Sequence, residues 1–132
     1  MSTDTSTMTD LDVQRRIGEL TGWRNIEMDS YWHETYDDVE EVHCLFGISP
    51  AHGERRPLPD WIGNEGVALV SVMEVAHKQQ WRLLIERGES SGAFYANGVT
   101  PLCERIPELT VSSDRLARAL AELLLAALEA QQ

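Results

Sequence analysis

The sequence contains little cysteine, few basic residues and no long apolar run. Its two cysteines, Cys44 and Cys103, are too few for a disulfide framework, and we expect both to be reduced, half-buried thiols. No apolar run approaches the roughly 20 residues of a membrane span. The polar start lacks the basic and apolar regions of a signal peptide. We therefore expect a cytoplasmic protein without a membrane segment.

Motifs that carry chemistry are also missing. None of the four histidines stands in an HxxxH or HExxH pattern, and neither cysteine belongs to a CxxC pair. There is no GxSxG elbow, and GNEG at 63–66 lacks the GK[ST] ending of a phosphate loop. The sequence therefore predicts no catalytic residue, no metal and no cofactor, and we do not expect an enzyme.

Acidic residues are plentiful instead. The chain has 22 acidic and 11 basic residues, so its formal net charge is −11. This charge repels phosphates and argues against direct binding of nucleic acid. Five of the acids lie within eight residues: Glu34, Asp37, Asp38, Glu40 and Glu41. The cluster has two interpretations, a solvated surface or an acidic decoy that occupies the nucleic-acid-binding groove of another protein.

Aromatic residues accompany this acidic cluster. Tyr31, Trp32 and Tyr36 are interleaved with it, and Trp61 lies in a loop over about 50–63 that is rich in proline and glycine. Aromatic side chains in loops act as hot spots for protein partners, or they cover the core. We favour the second role for Trp61. The candidate partner-binding residues are Tyr31, Trp32, Glu34, Tyr36, Asp37, Asp38, Glu40, Glu41 and Trp61.

The first half of the chain predicts one helix and much irregular structure. Residues 1–8 are expected to be disordered, and a single domain is expected over 9–132. Thr9 and Asp12 cap a helix over about 10–21, which ends at Gly22 and Trp23. Residues 24–59 are expected to be the least regular part, with one short strand over 42–48.

A second helix follows the loop and is capped by Asn64 or Asp60. Leu69, Val72, Met73 and Ala76 mark one of its faces, and further valines occupy the others. Because such a helix is apolar on most of its circumference, we expect it to be buried. HKQQ at 77–80 forms its polar end.

Three strands are predicted next. The segment 81–87 alternates with a period of two, and 93–96 is a second strand. Asn97-Gly98 predicts a tight hairpin turn, because a type I′ turn requires positive φ at both central residues. The third strand is expected within 99–106, and Pro107 is expected to end the sheet.

The most strongly predicted element is a final helix over about 113–130, capped by Ser112 or Ser113. A polar stripe is expected on one face, and leucines that include Leu124, Leu125 and Leu128 broaden the apolar face. A homodimer through this C-terminal helix is one interpretation of them. The polar stripe consists of Arg115, Arg118, Glu122 and Glu129. The whole set predicts an α+β fold: a small antiparallel sheet of three to four strands with helices on both faces.

The order of short motifs resembles a known family. LTGW at 20–23, PDW at 59–61, NEGVALVSVMEVA at 64–76 and ALAELLLAAL at 119–128 are similar to the phage ABA sandwich domains of small phage and prophage proteins. The resemblance covers about residues 11–130, with Trp61 where tyrosine is usual. It implies an α-β-α sandwich and an origin in a phage-infected or lysogenic bacterial cell. It implies no reaction and transfers no catalytic residue.

Two functional hypotheses follow. The first is a phage-type accessory protein that binds a protein partner through the acidic and aromatic residues, in one specific form as an inhibitor of a host nucleic-acid-handling or defence enzyme. The alternative is a small-molecule-binding protein or enzyme with a pocket near the 50–63 loop, where His52, Asp60 and Trp61 are the candidates.

Overall fold

The described residues form three helices and two antiparallel sheets, which confirms the predicted α+β class. The structure, a computed structural model, describes residues 7–131, so most of the tail predicted over 1–8 lies outside it. The strands form two three-stranded sheets, of orders β1-β2-β3 and β4-β5-β6, instead of the single sheet expected. The elements are α1 Asp10–Leu20, β1 Arg24–Glu34, β2 Val39–Ile48, β3 Arg55–Pro57, α2 Glu65–Gln79, β4 Arg82–Arg87, β5 Phe94–Val99, β6 Arg105–Ser113 and α3 Leu116–Glu129.

The chain divides into two compact units. One unit is Gly18–Pro59, which holds the first sheet, and the other comprises the rest of the described chain. The single domain predicted over 9–132 therefore contains two separately packed parts.

Local capping explains both ends of α1. The amide of Asp12 donates to Thr9 Oγ1 at 3.1 Å, and the amide of Thr9 donates to Asp12 Oδ2 at 3.3 Å. This reciprocal pair satisfies two amide groups at the helix start. At the other end Gly22 has φ of +97°, and the amide of Trp23 donates to the carbonyl of Gly18 at 2.9 Å. The predicted helix and its terminating glycine are confirmed.

Helix α2 also begins where the sequence predicts. Asn64 is its N-cap and accepts a 3.2 Å hydrogen bond from the amide of Val67. Its burial was predicted wrongly, however. Only the face with Ala68, Val72 and Ala76 is buried, whereas Leu69, Val70 and Met73 are exposed. The number of apolar residues around a helix does not determine which of its faces pack against another element.

Two predictions for the second sheet were wrong. Asn97 and Gly98 do not form a turn but lie inside β5, opposite Leu84 and Leu83 of β4. Pro107 does not end the sheet, because it lies within β6.

Glycine is required at position 98 by packing. A Cβ there would lie 2.8 Å from Leu109 Cβ and 3.2 Å from Trp81 Cε3. Close approach, not a turn, therefore explains this glycine.

Helix α3 forms the centre of its unit. It packs against α2, β5 and β6, and eleven of its residues are buried. Ser113 Oγ accepts from the Arg115 amide at 3.3 Å, although Arg115 itself stands at the N-cap. Only part of the expected polar stripe is solvated, since Arg118 and Glu122 are buried whereas Arg115 is exposed.

The leucines that motivated a homodimer lie inside the single chain. Leu124, Leu125 and Leu128 are each at most 7% exposed. A second copy therefore has no access to them in this fold.

The prediction for residues 24–59 was wrong. Most of this segment is regular: β1 and β2 form a long antiparallel hairpin, and β3 pairs with Phe46, Gly47 and Ile48 of β2. The strand predicted over 42–48 is the second half of β2.

Candidate partner-binding hairpin

Eight of the nine candidate partner-binding residues lie at the end of the β1–β2 hairpin. All eleven residues of 31–41 are exposed. This segment, which we call the acidic–aromatic tip, contains five carboxylates and no lysine or arginine. Trp32 is 69% exposed and Tyr36 is fully exposed. Aromatic residues are enriched at protein interfaces, so the exposed Trp32 and Tyr36 are candidates for contact with a partner.

The register of the hairpin places the tip residues on two faces. Tyr31 lies opposite Val42, and Trp32 lies opposite Glu41. Because side chains alternate along a strand, Tyr31 and Trp32 point to opposite faces. Trp32 shares its face with Glu34 and Glu41, and Tyr31 shares its face with Glu40. Each face of the ribbon therefore presents an aromatic ring together with carboxylates.

A four-residue turn closes the tip. The amide of Thr35 donates to the carbonyl of Asp38 at 2.8 Å, and Thr35 Oγ1 donates to the same oxygen at 3.0 Å. Asp38 Oδ1 accepts from the amide of Val39 at 2.7 Å. Asp38 therefore holds the turn, and Tyr36 and Asp37 stand at its outermost point.

At the base of the hairpin, the guanidinium of Arg55 forms ion pairs with carboxylates of β1. Arg55 lies 2.7 Å from Asp29 Oδ2 and 3.1 Å from Glu27 Oε1. Its Cζ is 5.4 Å from the centroid of the Phe46 ring, which Tyr31 meets edge-on at 6.1 Å. The hydrogen bond from Arg55 lowers the pKa of Asp29 below its ordinary value, and the same bond raises the pKa of Arg55. Carboxylates and an aromatic ring thus recognise a guanidinium on this sheet.

The acidic–aromatic tip also presents carboxylates and aromatic rings, but it contains no lysine or arginine. Among the described residues, no lysine or arginine forms an ion pair with Glu34, Asp37, Glu40 or Glu41, and Glu41 meets only His43 at 3.8 Å. The tip is therefore able to accept basic groups from outside the chain.

The ninth candidate, Trp61, lies elsewhere. It is 4% exposed and belongs to the other unit, where its Nε1 donates to Ser71 Oγ at 3.1 Å. This burial fits the role of a core lid, and the side chain offers no surface to a partner. Asp60 accepts from the amide of Gly63 at 2.9 Å, and His52 is exposed.

A polar cleft of about 280 Å³ lies in the unit that contains α3, lined by residues that include Asp10, Arg115, Arg118 and Glu122. Its charged groups are already paired. Arg118 donates to Asp10 Oδ1 at 2.7 Å and to the carbonyl of Met8 at 2.8 Å. Burial opposes ionisation of Asp10, but the hydrogen bonds and charges of Arg115 and Arg118 outweigh it and lower its pKa. We interpret this cluster as a structural clamp.

Other features provide no further site. Cys44 is half-buried and Cys103 exposed, and neither is in a disulfide. Within residues 7–131, no three His, Cys, Asp or Glu side chains come together as metal ligands. The same residues contain no helix that is long and apolar enough to cross a membrane.

Sequence reasoning missed the Arg55 cluster and the free edge of β1. Arg55 and Asp29 are 26 residues apart, and only the pairing of three strands brings them together. No local signal marks that pairing. Comparisons of the chain with models of protein families, with curated proteins and with solved structures found no match.

Proposed function

We propose that this protein acts by binding a basic partner protein through the acidic–aromatic tip. The observation that carries the proposal is the run of eleven exposed residues over 31–41, with five carboxylates, the aromatic rings of Tyr31, Trp32 and Tyr36, and no lysine or arginine. Interfaces concentrate their binding energy in a few aromatic and charged groups. The tip supplies both kinds of group on two adjacent strands.

Electrostatics favours a cationic partner. The carboxylates of the tip attract lysine and arginine, accelerate association and repel acidic surfaces. Trp32 and Tyr36 add ring faces on which a guanidinium packs, as Arg55 packs on Phe46. Binding is therefore expected to weaken with salt, but not to vanish, since salt screens exposed charges and leaves the apolar burial of the rings.

A specific form of the proposal is an inhibitor of a nucleic-acid-handling enzyme. The binding grooves of such enzymes are lined with lysine and arginine that contact phosphates. A narrow two-stranded ribbon with carboxylates on both faces has the charge to occupy such a groove in place of the nucleic acid. A phage or prophage origin, with a host defence enzyme as target, fits this form.

The test is an affinity capture from a nuclease-treated bacterial lysate with three versions of the chain. The first is the unchanged protein. The second carries amides at the tip: Asp37→Asn, Asp38→Asn, Glu40→Gln and Glu41→Gln. The third, a matched control, removes four exposed carboxylates from the other unit: Glu74→Gln, Glu89→Gln, Glu104→Gln and Glu108→Gln.

The expected result is a protein retained by the unchanged chain and by the control but lost with the tip amides. Both variants change the net charge equally, so a difference between them reports position and not overall charge. Trp32→Ala should then weaken binding of the captured protein by about 1–2 kcal/mol or more, as truncation of an aromatic hot spot does. Equal capture by all three chains, or no capture by any of them, contradicts the proposal.

A further inference from the structure

The outer edge of β1 carries backbone groups that no strand of the described chain pairs, although the amide of Ser30 already donates to Asp29 Oδ1 at 2.8 Å. β1 is the first strand of its sheet and pairs only with β2, so its other edge faces no strand of the described chain. The pairing is regular over residues 27–34, about 27 Å at the rise of an antiparallel strand. None of the β1 residues is buried.

We infer that this edge accepts an extended basic segment of the partner protein as an added antiparallel strand. The inference rests on the proposed function and specifies how the partner binds. In strand addition, backbone hydrogen bonds supply affinity, and alternate side chains supply specificity.

The edge lacks most of the devices that protect free strands. Natural edge strands are blocked by proline, lysine, bulges or short length. β1 is eleven residues long and contains neither proline nor lysine. Its register irregularity lies between Arg24 and Glu27, at the base of the hairpin, so residues 27–34 keep an uninterrupted register with β2.

Charge determines which strand is able to occupy the edge. Residues 27–34 contain Glu27, Asp29 and Glu34 and no lysine or arginine. A second copy of β1 would bring the same carboxylates against these, and like charges on neighbouring strands destabilise pairing. Arg55 neutralises Glu27 and Asp29 from within the sheet, which leaves Glu34 and the other tip carboxylates for the partner. Glu34 and the other tip carboxylates therefore favour a strand rich in arginine or lysine over a second copy of this acidic segment.

The aromatic residues of the tip are placed to meet such a strand. Tyr31 and Trp32 both lie on β1, one on each face of the sheet. A strand added beside β1 would set its successive side chains next to these rings on both faces. Cross-strand neighbours of this kind contribute to sheet stability, and a guanidinium gains further from the ring face.

The test uses a defined probe, an eight-residue peptide of alternating arginine and threonine. Its match is the same peptide with every backbone nitrogen methylated, which keeps the charge but removes every amide donor. Binding of both peptides to the full chain is measured by calorimetry. Amide hydrogen exchange of the chain is followed by NMR with and without the unmethylated peptide.

Strand addition predicts that the methylated peptide binds roughly tenfold or more weakly, because several hydrogen bonds are lost. It also predicts slower exchange for alternate amides over 27–34, with those of β2 unchanged. Equal binding by both peptides, no binding of the unmethylated peptide, or no protection of β1 overturns the inference.

The variant with amides at the tip distinguishes failure of the strand-addition inference from failure of the proposed function. If Asp37→Asn, Asp38→Asn, Glu40→Gln and Glu41→Gln together weaken both peptides, and the two peptides bind the unchanged chain equally, the tip binds basic groups but not as an added strand. If these substitutions leave both affinities unchanged, the proposed function itself is contradicted, whatever the hydrogen exchange shows.

Discussion

Replacement of Arg118 by methionine tests whether the buried charges of α3 stabilise the fold as a pair. The side chains of Arg118 and Glu122 are 9% and 6% exposed, and their charged groups lie 3.6 Å apart. Arg118 also bonds Asp10 and the carbonyl of Met8. Arg118→Met removes the guanidinium and leaves the Glu122 carboxylate buried without its partner.

The expected cost is large relative to the total stability of a small protein. Breaking a buried pair by removal of one member typically costs about 3–5 kcal/mol. Whole domains are stable by only about 5–15 kcal/mol. The double variant Arg118→Met/Glu122→Met removes both charges, and apolar replacement of a buried pair is often neutral. Asp10 keeps Arg115 at 2.7 Å in either variant, so it is not left unpaired.

The assay is urea unfolding followed by far-ultraviolet circular dichroism. The single variant should unfold at markedly lower urea than the unchanged protein, and the double variant should recover most of the difference. A single variant within about 1 kcal/mol of the unchanged protein would refute the reasoning, because it would show that Glu122 does not need its partner. A double variant as unstable as the single one would refute it as well, because the loss would then be one of packing.

Three further predictions concern stability and are measured by thermal unfolding. The lowered pKa of Asp10 means that its ionised form stabilises the fold above the ordinary carboxyl pKa near pH 4, so Asp10→Asn should destabilise the protein at neutral pH. This loss of stability should shrink as the pH falls through the folded-state pKa of Asp10. A loss that stays constant with pH contradicts the ion-pair explanation. Gly98→Ala should cost about 1–3 kcal/mol because its Cβ would meet Leu109, and an unchanged midpoint contradicts the packing argument. Gln80 has φ of +61° at the end of α2, so Gln80→Gly should raise stability by about 1 kcal/mol, whereas Gln80→Ala should not.

Helix ends were predictable because their signals are local. Thr9 with Asp12 and Asn64 with Val67 satisfy amides within three residues, and Gly22 supplies positive φ directly after α1. Such contacts form in any fold that contains the helix. They are therefore readable from neighbouring residues alone.

Long-range packing overrode local signals in the sheets. Asn97-Gly98 has the composition of a hairpin turn, yet Leu109 and Trp81 lie so close that glycine is needed within a strand. In β1 apolar and polar residues alternate only over 25–29, and the pattern is lost in the outer half, which is exposed on both faces. Hydrophobic periodicity indicates a strand with one buried face, so it does not detect a ribbon that has no buried face.

The composition of the candidate site was determined by the sequence alone: five carboxylates and the aromatic residues Tyr31, Trp32 and Tyr36 within 31–41, with no lysine or arginine. Only the tertiary structure decided that these residues stand on a two-stranded ribbon, that Trp61 is buried within the other unit, and that one edge of β1 has no partner strand in the described chain. The physical reason is that charge and residue type belong to each position, whereas exposure and unpaired backbone groups depend on which distant segments pack together.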